Sequence, residues 1–331
     1  DMLFKTNIDL PQYPWNISYR SKLFFGGSCF AEEIGQKFQK AKFNCLINPL
    51  GIQFNPVSLS RALEYVFGSV TLKAQQLELR DNRWHHFDFH GSFSGSKPQQ
   101  TLTSLQKQIK LTKAFLQETD IAFITLGTAQ VHRYKLTGQI VANNHKFPAH
   151  LFEGDMLGLK EITGALNGLI NGLKMLNPGI QIVLTVSPVR YLSNGMHQNQ
   201  LSKATLLMAV DALRHLENVS YFPAYEIFMD DLRDYRFYGD DLVHPAKSGV
   251  DYVWELITLA TLDHESTGLL AQVQKLSQSF THRPIYPDSP EYIAFLNKLK
   301  ADMEIISSGG FGIDFSYEIG ELTKRMIPGE L

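Results

Sequence analysis

The sequence predicts an α/β protein in which a parallel sheet of about five strands is sandwiched between helices, with β-ribbon insertions and a helical C-terminal appendage. Three observations lead there. Short apolar runs that read as buried strands recur along the chain, and each alternates with helix-like sequence, the order of a parallel sheet. Two segments with ribbon character interrupt that alternation, and past about residue 262 the strand signal stops.

The elements follow in order. "KLFFGG" (22–27) is an apolar run that enters a helix, in which Phe30, Ile34 and Phe38 fall on one face. "FNCLINPL" (43–50) precedes "NPVSLSRALEYVFG" (55–68), where Pro56 suits the first helical turn. Residues 76–94, containing "LELRDNRWHHFDFH", read as a ribbon, and a long helix signal follows around 99–118. "IAFITLG" (121–127) is the next strand, before a second ribbon at 129–143 turning at Thr137-Gly138. "QIVLTVSP" (181–188) lies between helices near 157–174 and 198–216. "VSYFPAY" (219–225) is the last strand, and "HPAKSGVDYVWELITLA" (244–260) the helix after it, with Pro245 expected to start it. Residues 1–262 thus read as one α/β domain and 263–331 as a helical appendage packed on it, broken by "THRPIYPDSPEY" (281–292) and "SSGGFG" (307–312).

Composition bounds the function. The chain has 331 residues, 44% hydrophobic and 19% charged, as expected of a soluble globular protein. A net charge of −2 gives no reason to expect nucleic acid or an anionic membrane as partner. No stretch approaches the roughly 20 apolar residues of a membrane helix, and the opening "MLFKTNIDLPQYPW" lacks the pattern of a signal peptide. Cys29 and Cys45 read as reduced thiols, and the expected location is the cytoplasm. Oligomeric state is not legible.

The chemistry concentrates in "FFGGSCFAEEIG" (24–35). Ser28 stands where a strand ends and a helix begins, the edge of a parallel sheet at which ligands gather. Gly26 and Gly27 permit a tight turn, and the helix N-terminus favours a developing anion. Ser28 is therefore either a nucleophile or an N-cap. "YGDDLVHPAKSGVDYVWE" (238–255) places Asp241 three residues before His244, so that one turn of chain can bring the carboxylate to one imidazole nitrogen and leave the other for a serine. The alternative is a capping aspartate and an incidental histidine.

These two blocks resemble those of the SGNH/GDSL-type hydrolases, with Ser28 on their nucleophile, Gly27 where their aspartate stands, and "DDLVHP" on their terminal DxxHP block. The string "GSCFA" (27–31) is the name-giving motif of the GSCFA-domain family, a bacterial branch of that superfamily. "TLGTAQVHRY" (125–134), "VANNHKFP" (141–148), "TVSPVR" (185–190), "LSKATLL" (201–207) and "YFPAYEIFMDDLRDYRFY" (221–238) are similar to that family as well. The resemblance runs from about residue 4 to 295. It implies a flavodoxin-like SGNH-hydrolase sandwich and a serine esterase that attacks a small acyl ester, O-acyl carbohydrates among the candidates. Ser28 would be nucleophile, His244 base and Asp241 its orienter, with no cofactor and no metal. Acyl transfer on the same site, or a non-catalytic binding module that kept the fold, are the rival readings.

The resemblance also implies an oxyanion hole built from the Ser28 amide, a glycine amide and an asparagine side chain. Gly51 in "NPLGIQFNP" matches the glycine, but Ala129 occupies the asparagine position, which leaves Thr128, Gln130, Asn143, Asn144 or His145 to supply the donor.

Other residues divide as follows. Cys29 reads as helix packing. His86, Asp88 and His90 would share one face of a strand and could be read as zinc ligands, but same-face neighbours about 7 Å apart favour a polar ribbon face lining the pocket, with His90 as a substrate contact. His145, Lys146 and Arg190 are further substrate-binding candidates, Arg190 for an anionic group or in an ion pair. Lys203 reads as a solvated or ion-paired helix lysine, and "MDDLRDYRFYGDD" (229–241) as internal ion pairs.

Overall fold

The computed structural model describes residues 6–326 apart from 7, 287 and 288; the start of the opening segment, part of the Pro-rich break and the end of the tail lie outside the described residues. Five strands form the central sheet: β1 (Lys22–Gly27), β2 (Asn44–Ile47), β5 (Ile121–Leu126), β9 (Gln181–Val186) and β10 (Val219–Tyr221). All pairings are parallel, in the order β10-β9-β5-β1-β2. Counted consecutively, that is 2-1-3-4-5, the flavodoxin-like order, whose switch point falls between the first and third strands. Here those are β1 and β5.

Strand alternation explains the two helical layers. Leu23 and Phe25 of β1, with Phe123 of β5 and Val183 of β9, face the cluster completed by α1 (Cys29–Lys40) and α7 (Lys247–Thr261). Phe24, Ile124 and Leu184 face the opposite cluster with α2 (Pro56–Phe67), α4 (Leu159–Leu176) and α5 (Gly195–Leu213). Burial on both faces is why β5 is apolar at nearly every position. Pro56 begins α2, as expected, and Asn55 caps it by accepting the Ser58 amide.

The first ribbon is the hairpin β3 (Leu77–Arg80) and β4 (Arg83–His86), turning on Asp81 and Asn82, both at positive φ. It is shorter than the sequence suggests, ending at His86. The second ribbon, β6 (Gln130–Tyr134) and β7 (Gln139–Val141), gains a third strand that the sequence does not announce, β8 (Phe152–Met156), paired on the other edge of β6. The long helix between the first ribbon and β5 is α3 (Pro98–Leu116).

After β10 come a short turn α6 (Ala224–Glu226) and then α7, which begins at Lys247. Pro245 therefore stands outside the helix, in a bridge to Tyr238. The tail forms α8 (His264–Thr281), α9 (Pro290–Ser308) and α10 (Ser316–Arg325). Val273, Leu296, Met303 and Phe315 join the same apolar cluster as Phe25 and Phe38, so the tail is packed against the α1/α7 layer. Among the described residues no helix is long and apolar enough to cross a membrane.

Candidate active site

Ser28 sits at the switch point. Its backbone is extended at the N-cap position of α1, yet its hydroxyl makes no capping bond. The residue is 1% exposed, and Oγ has no hydrogen-bond partner among the described residues. Two neighbours fix the turn: the Gly27 amide donates to Asn48 Oδ1 at 2.9 Å, and the Gln53 amide to the Gly27 carbonyl at 2.8 Å. Asn48, itself at positive φ, carries no catalytic pattern in the sequence, so nothing there points to this role.

The late motif folds as a tight turn with Leu242 at positive φ. Asp241 Oδ1 accepts the Val243 and His244 amides at 2.9 Å each, and Oδ2 accepts His244 Nδ1 at 2.7 Å. With Nδ1 donating, Nε2 is the nitrogen left for a substrate or a serine. The hydrogen bond from His244, followed by those from the two backbone amides, draws the Asp241 carboxyl down to about 2.

Ser28 and His244 line one cavity of about 350 Å³, together with Cys29, Phe54, Gly127, Thr128, the stretch Val189–Ser193 and Val243. Among the described residues its wall carries no carboxylate. Cys29 reaches the cavity instead of packing under the helix, but burial pushes its thiol up to about 11 and keeps it protonated. Arg190 lies on the same wall with its guanidinium over Tyr238 (4.2 Å to the ring centroid) and Tyr235 (5.1 Å). It forms no ion pair among the described residues, and its side chain donates a long hydrogen bond to the Leu242 carbonyl (3.4 Å).

With this geometry in view, the comparisons decide the family. The model of the GSCFA family matches residues 22–256. The chain belongs to the GSCFA family. A second model, the C-terminal domain of GSCFA domain proteins, matches residues 273–328. No curated protein matches the chain. Among solved structures it is similar to a carbohydrate esterase family 3 protein from Talaromyces cellulolyticus (14% identity, TM-score 0.28), over 50% of this chain and 65% of that one, so the match spans slightly under two thirds of that esterase's length. It is also similar to a serine-to-alanine mutant of an acetyl esterase with acetate ion (10% identity, TM-score 0.37, 77% of this chain and 99% of that one).

The donors expected for an oxyanion hole are engaged elsewhere in this GSCFA chain. The Ser28 amide donates to the Thr125 carbonyl (3.1 Å), because β1–β5 pairing continues one residue past the strand. The Gly51 amide closes a turn on the Asn48 carbonyl (2.8 Å), and Gly51 faces a different, larger cavity of about 580 Å³ that shares no lining residue with the first. The Gly127 and Thr128 amides both donate to the Phe54 carbonyl at 2.9 Å. Gln130 is tied to Tyr191 and Asn194, and Asn143, whose Oδ1 accepts the His145 amide, does not line the Ser28 cavity. Thr128 alone among the expected side chains lines the cavity. Its Oγ1 accepts the Gln130 amide and shares a hydrogen bond with Ser202 Oγ (3.1 Å).

The remaining substrate candidates, His90, His145 and Lys146, are not on this wall. His90 caps a turn through Ser92 and lines the larger cavity. The strand ends before it, so the three-residue polar face with His86 and Asp88 does not exist. Asp88 is instead buried against Arg61, Tyr65 and Gln139. His145 packs on His85 and bonds the His86 carbonyl, while Lys146 lies off the cavity with its backbone at positive φ. The acidic run does carry ion pairs, Arg233–Asp230 and Arg236–Asp234.

Proposed function

We propose that this chain is a serine ester hydrolase acting on a small acyl ester through Ser28, His244 and Asp241, with O-acyl carbohydrates among the candidate substrates. One observation carries the reading: the buried, unpartnered Ser28 hydroxyl shares a cavity with a histidine already oriented by an aspartate. A buried hydroxyl left without a partner costs about 1–3 kcal/mol. A cap would have recovered that cost locally, and this one does not cap.

In the proposed reaction Ser28 Oγ attacks the acyl carbon as its proton passes to His244 Nε2, and Asp241 stabilises the imidazolium. The tetrahedral intermediate collapses by breaking the C–O ester bond, and His244 gives the proton to the leaving alkoxide. Water then attacks the acyl carbon as His244 takes its proton, and the intermediate collapses by breaking the bond to Ser28 Oγ, which receives that proton from His244 as the acid leaves. For the oxyanion we propose the Thr128 hydroxyl. If Ser202 is the donor in their shared bond, the Thr128 hydroxyl hydrogen is free to turn to the cavity. The first-turn amides of α1 add their dipole. Arg190 would hold an anionic or polyhydroxyl part of the substrate. In this reading residues 1–262 are the catalytic domain and 263–331 an appendage to it, and the partner is a small cytoplasmic metabolite, not nucleic acid or membrane.

A second reading, a binding module without turnover, is favoured by one fact: the amides expected at the oxyanion are already bonded. A panel of chromogenic short-acyl esters, assayed with and without sugar acceptors, separates the possibilities. Turnover lost in Ser28→Ala supports hydrolysis, transfer to the acceptor supports an acyltransferase, and tight ester binding without turnover supports the binding module.

A further inference from the structure

Lys203 is 1% exposed in the middle of α5, and no carboxylate pairs with it among the described residues. Its Nζ donates instead to two backbone carbonyls, Gly127 and Ser187, each at 2.6 Å. These carbonyls stand just past the carboxyl ends of β5 and β9, and both residues line the cavity that holds Ser28. Burying an ammonium costs several kcal/mol unless it is compensated, and two neutral carbonyls compensate it only in part. Gly127 also lies beside the nucleophile's own residue, with room for no side chain between them: a Cβ built on it would lie 3.1 Å from Ser28 Cβ.

Neighbours on α5 act in the same direction. Ser202 Oγ accepts the Ala129 amide at 2.7 Å, and Asn199 Oδ1 accepts the Tyr191 amide at 2.9 Å. Asn199, Ser202 and Lys203 are all buried and fall on one helical face. That face pins both loops of the cavity wall, 127–130 and 187–191, to one rigid helix.

We infer that Lys203 is the positioning residue of this site, clamping the Gly127 and Ser187 loops beneath Ser28 and supplying the buried positive charge against which an oxyanion develops. The inference rests on the serine-hydrolase reading and accounts for its weakest point, the missing asparagine at Ala129. A fixed cation in a low-dielectric site stabilises negative charge more strongly than it would in water. The titratable groups facing Lys203 are the Cys29 thiol from α1 and the Tyr225 ring from α6, whose centroid is 5.9 Å away. Neither is an anion at neutral pH. Burial lowers Lys203 to about 7, so the ammonium is the major form below neutrality and recedes above it.

The test is the second-order rate of fluorophosphonate addition to Ser28 across pH 5–9, in the wild-type chain and in Lys203→Met, with a thermal melt of each. The wild-type rate should fall above about pH 7 as the ammonium deprotonates, giving a bell. Lys203→Met should react about 100-fold more slowly, by analogy with the loss of one oxyanion donor, and should lack the falling limb. Lys203→Gln, which can still donate to a carbonyl but carries no charge, is the second variant should Lys203→Met not fold, and it should also react more slowly and lack the falling limb. A folded Lys203→Met or Lys203→Gln that reacts at the wild-type rate, or that keeps a wild-type pH profile, overturns the role of Lys203 while leaving the serine reading intact. No addition to the wild type at any pH overturns both.

Discussion

Gly27 lies so close to Thr125 that a Cβ built on it would stand 2.0 Å from the Thr125 carbonyl oxygen, and its φ of +128° is one that L-residues rarely adopt. The superfamily that the opening motif resembles carries an aspartate at this position. Here the approach of β1 to β5 excludes any side chain, so the departure from the pattern has a steric cause. Gly27→Asp should destabilise the fold by about 3 kcal/mol or more, read as a drop in the urea midpoint. A neutral effect would mean that the elbow can be rebuilt without glycine.

Asp241→Asn tests the histidine's orientation. Asparagine can still accept the Val243 and His244 amides and so preserve the turn, but it presents an amide to Nδ1 in one orientation and a weak acceptor in the other. By analogy with serine triads, kcat should fall about 10³–10⁴-fold with little change in KM. Steady-state kinetics on one chromogenic ester, with circular dichroism to verify the fold, checks this.

The sheet was legible because its strands are buried on both faces and read as unbroken apolar runs, such as "IAFITL" in β5. The acidic turn was legible because Asp241 and His244 are close in sequence and their contact is local. What failed was non-local. His86 and Asp88 read as one strand face, yet the chain turns after His86 and Asp88 is claimed by Arg61 and Tyr65 from α2. Lys203 reads as an ordinary helix lysine, because its partners are backbone carbonyls, which leave no mark in a sequence. The engaged amides of Ser28 and Gly51 are invisible for the same reason.

Arg190 should set preference among substrates. It is a fixed cation on a wall that carries no carboxylate among the described residues, and the faces of Tyr235 and Tyr238 hold its guanidinium. Arg190→Gln should weaken esters with an anionic acyl group by about 10–100-fold in kcat/KM, the span of one charged hydrogen bond, and leave neutral esters nearly unchanged. Equal losses on both classes would assign Arg190 to structure alone.

Two buried histidines should govern stability in mild acid. Burial pulls His86 and His145 down to about 4 from an ordinary value of 6.5. Between those values the unfolded chain binds more protons than the folded one, so stability is complete above pH 6.5 and declines as pH falls toward 4. The slope reaches roughly 1.4 kcal/mol per pH unit for each histidine. Urea melts at pH 7, 6, 5 and 4 should show that decline, and His145→Asn should roughly halve its slope.

The most direct test of the serine reading is fluorophosphonate labelling read by intact mass and peptide mapping, with Ser28→Ala and Cys29→Ala alongside. A single adduct is expected on Ser28, lost in Ser28→Ala and kept in Cys29→Ala, since the Cys29 thiol is held protonated. No adduct on the folded wild-type protein, or one that persists in Ser28→Ala, would contradict it.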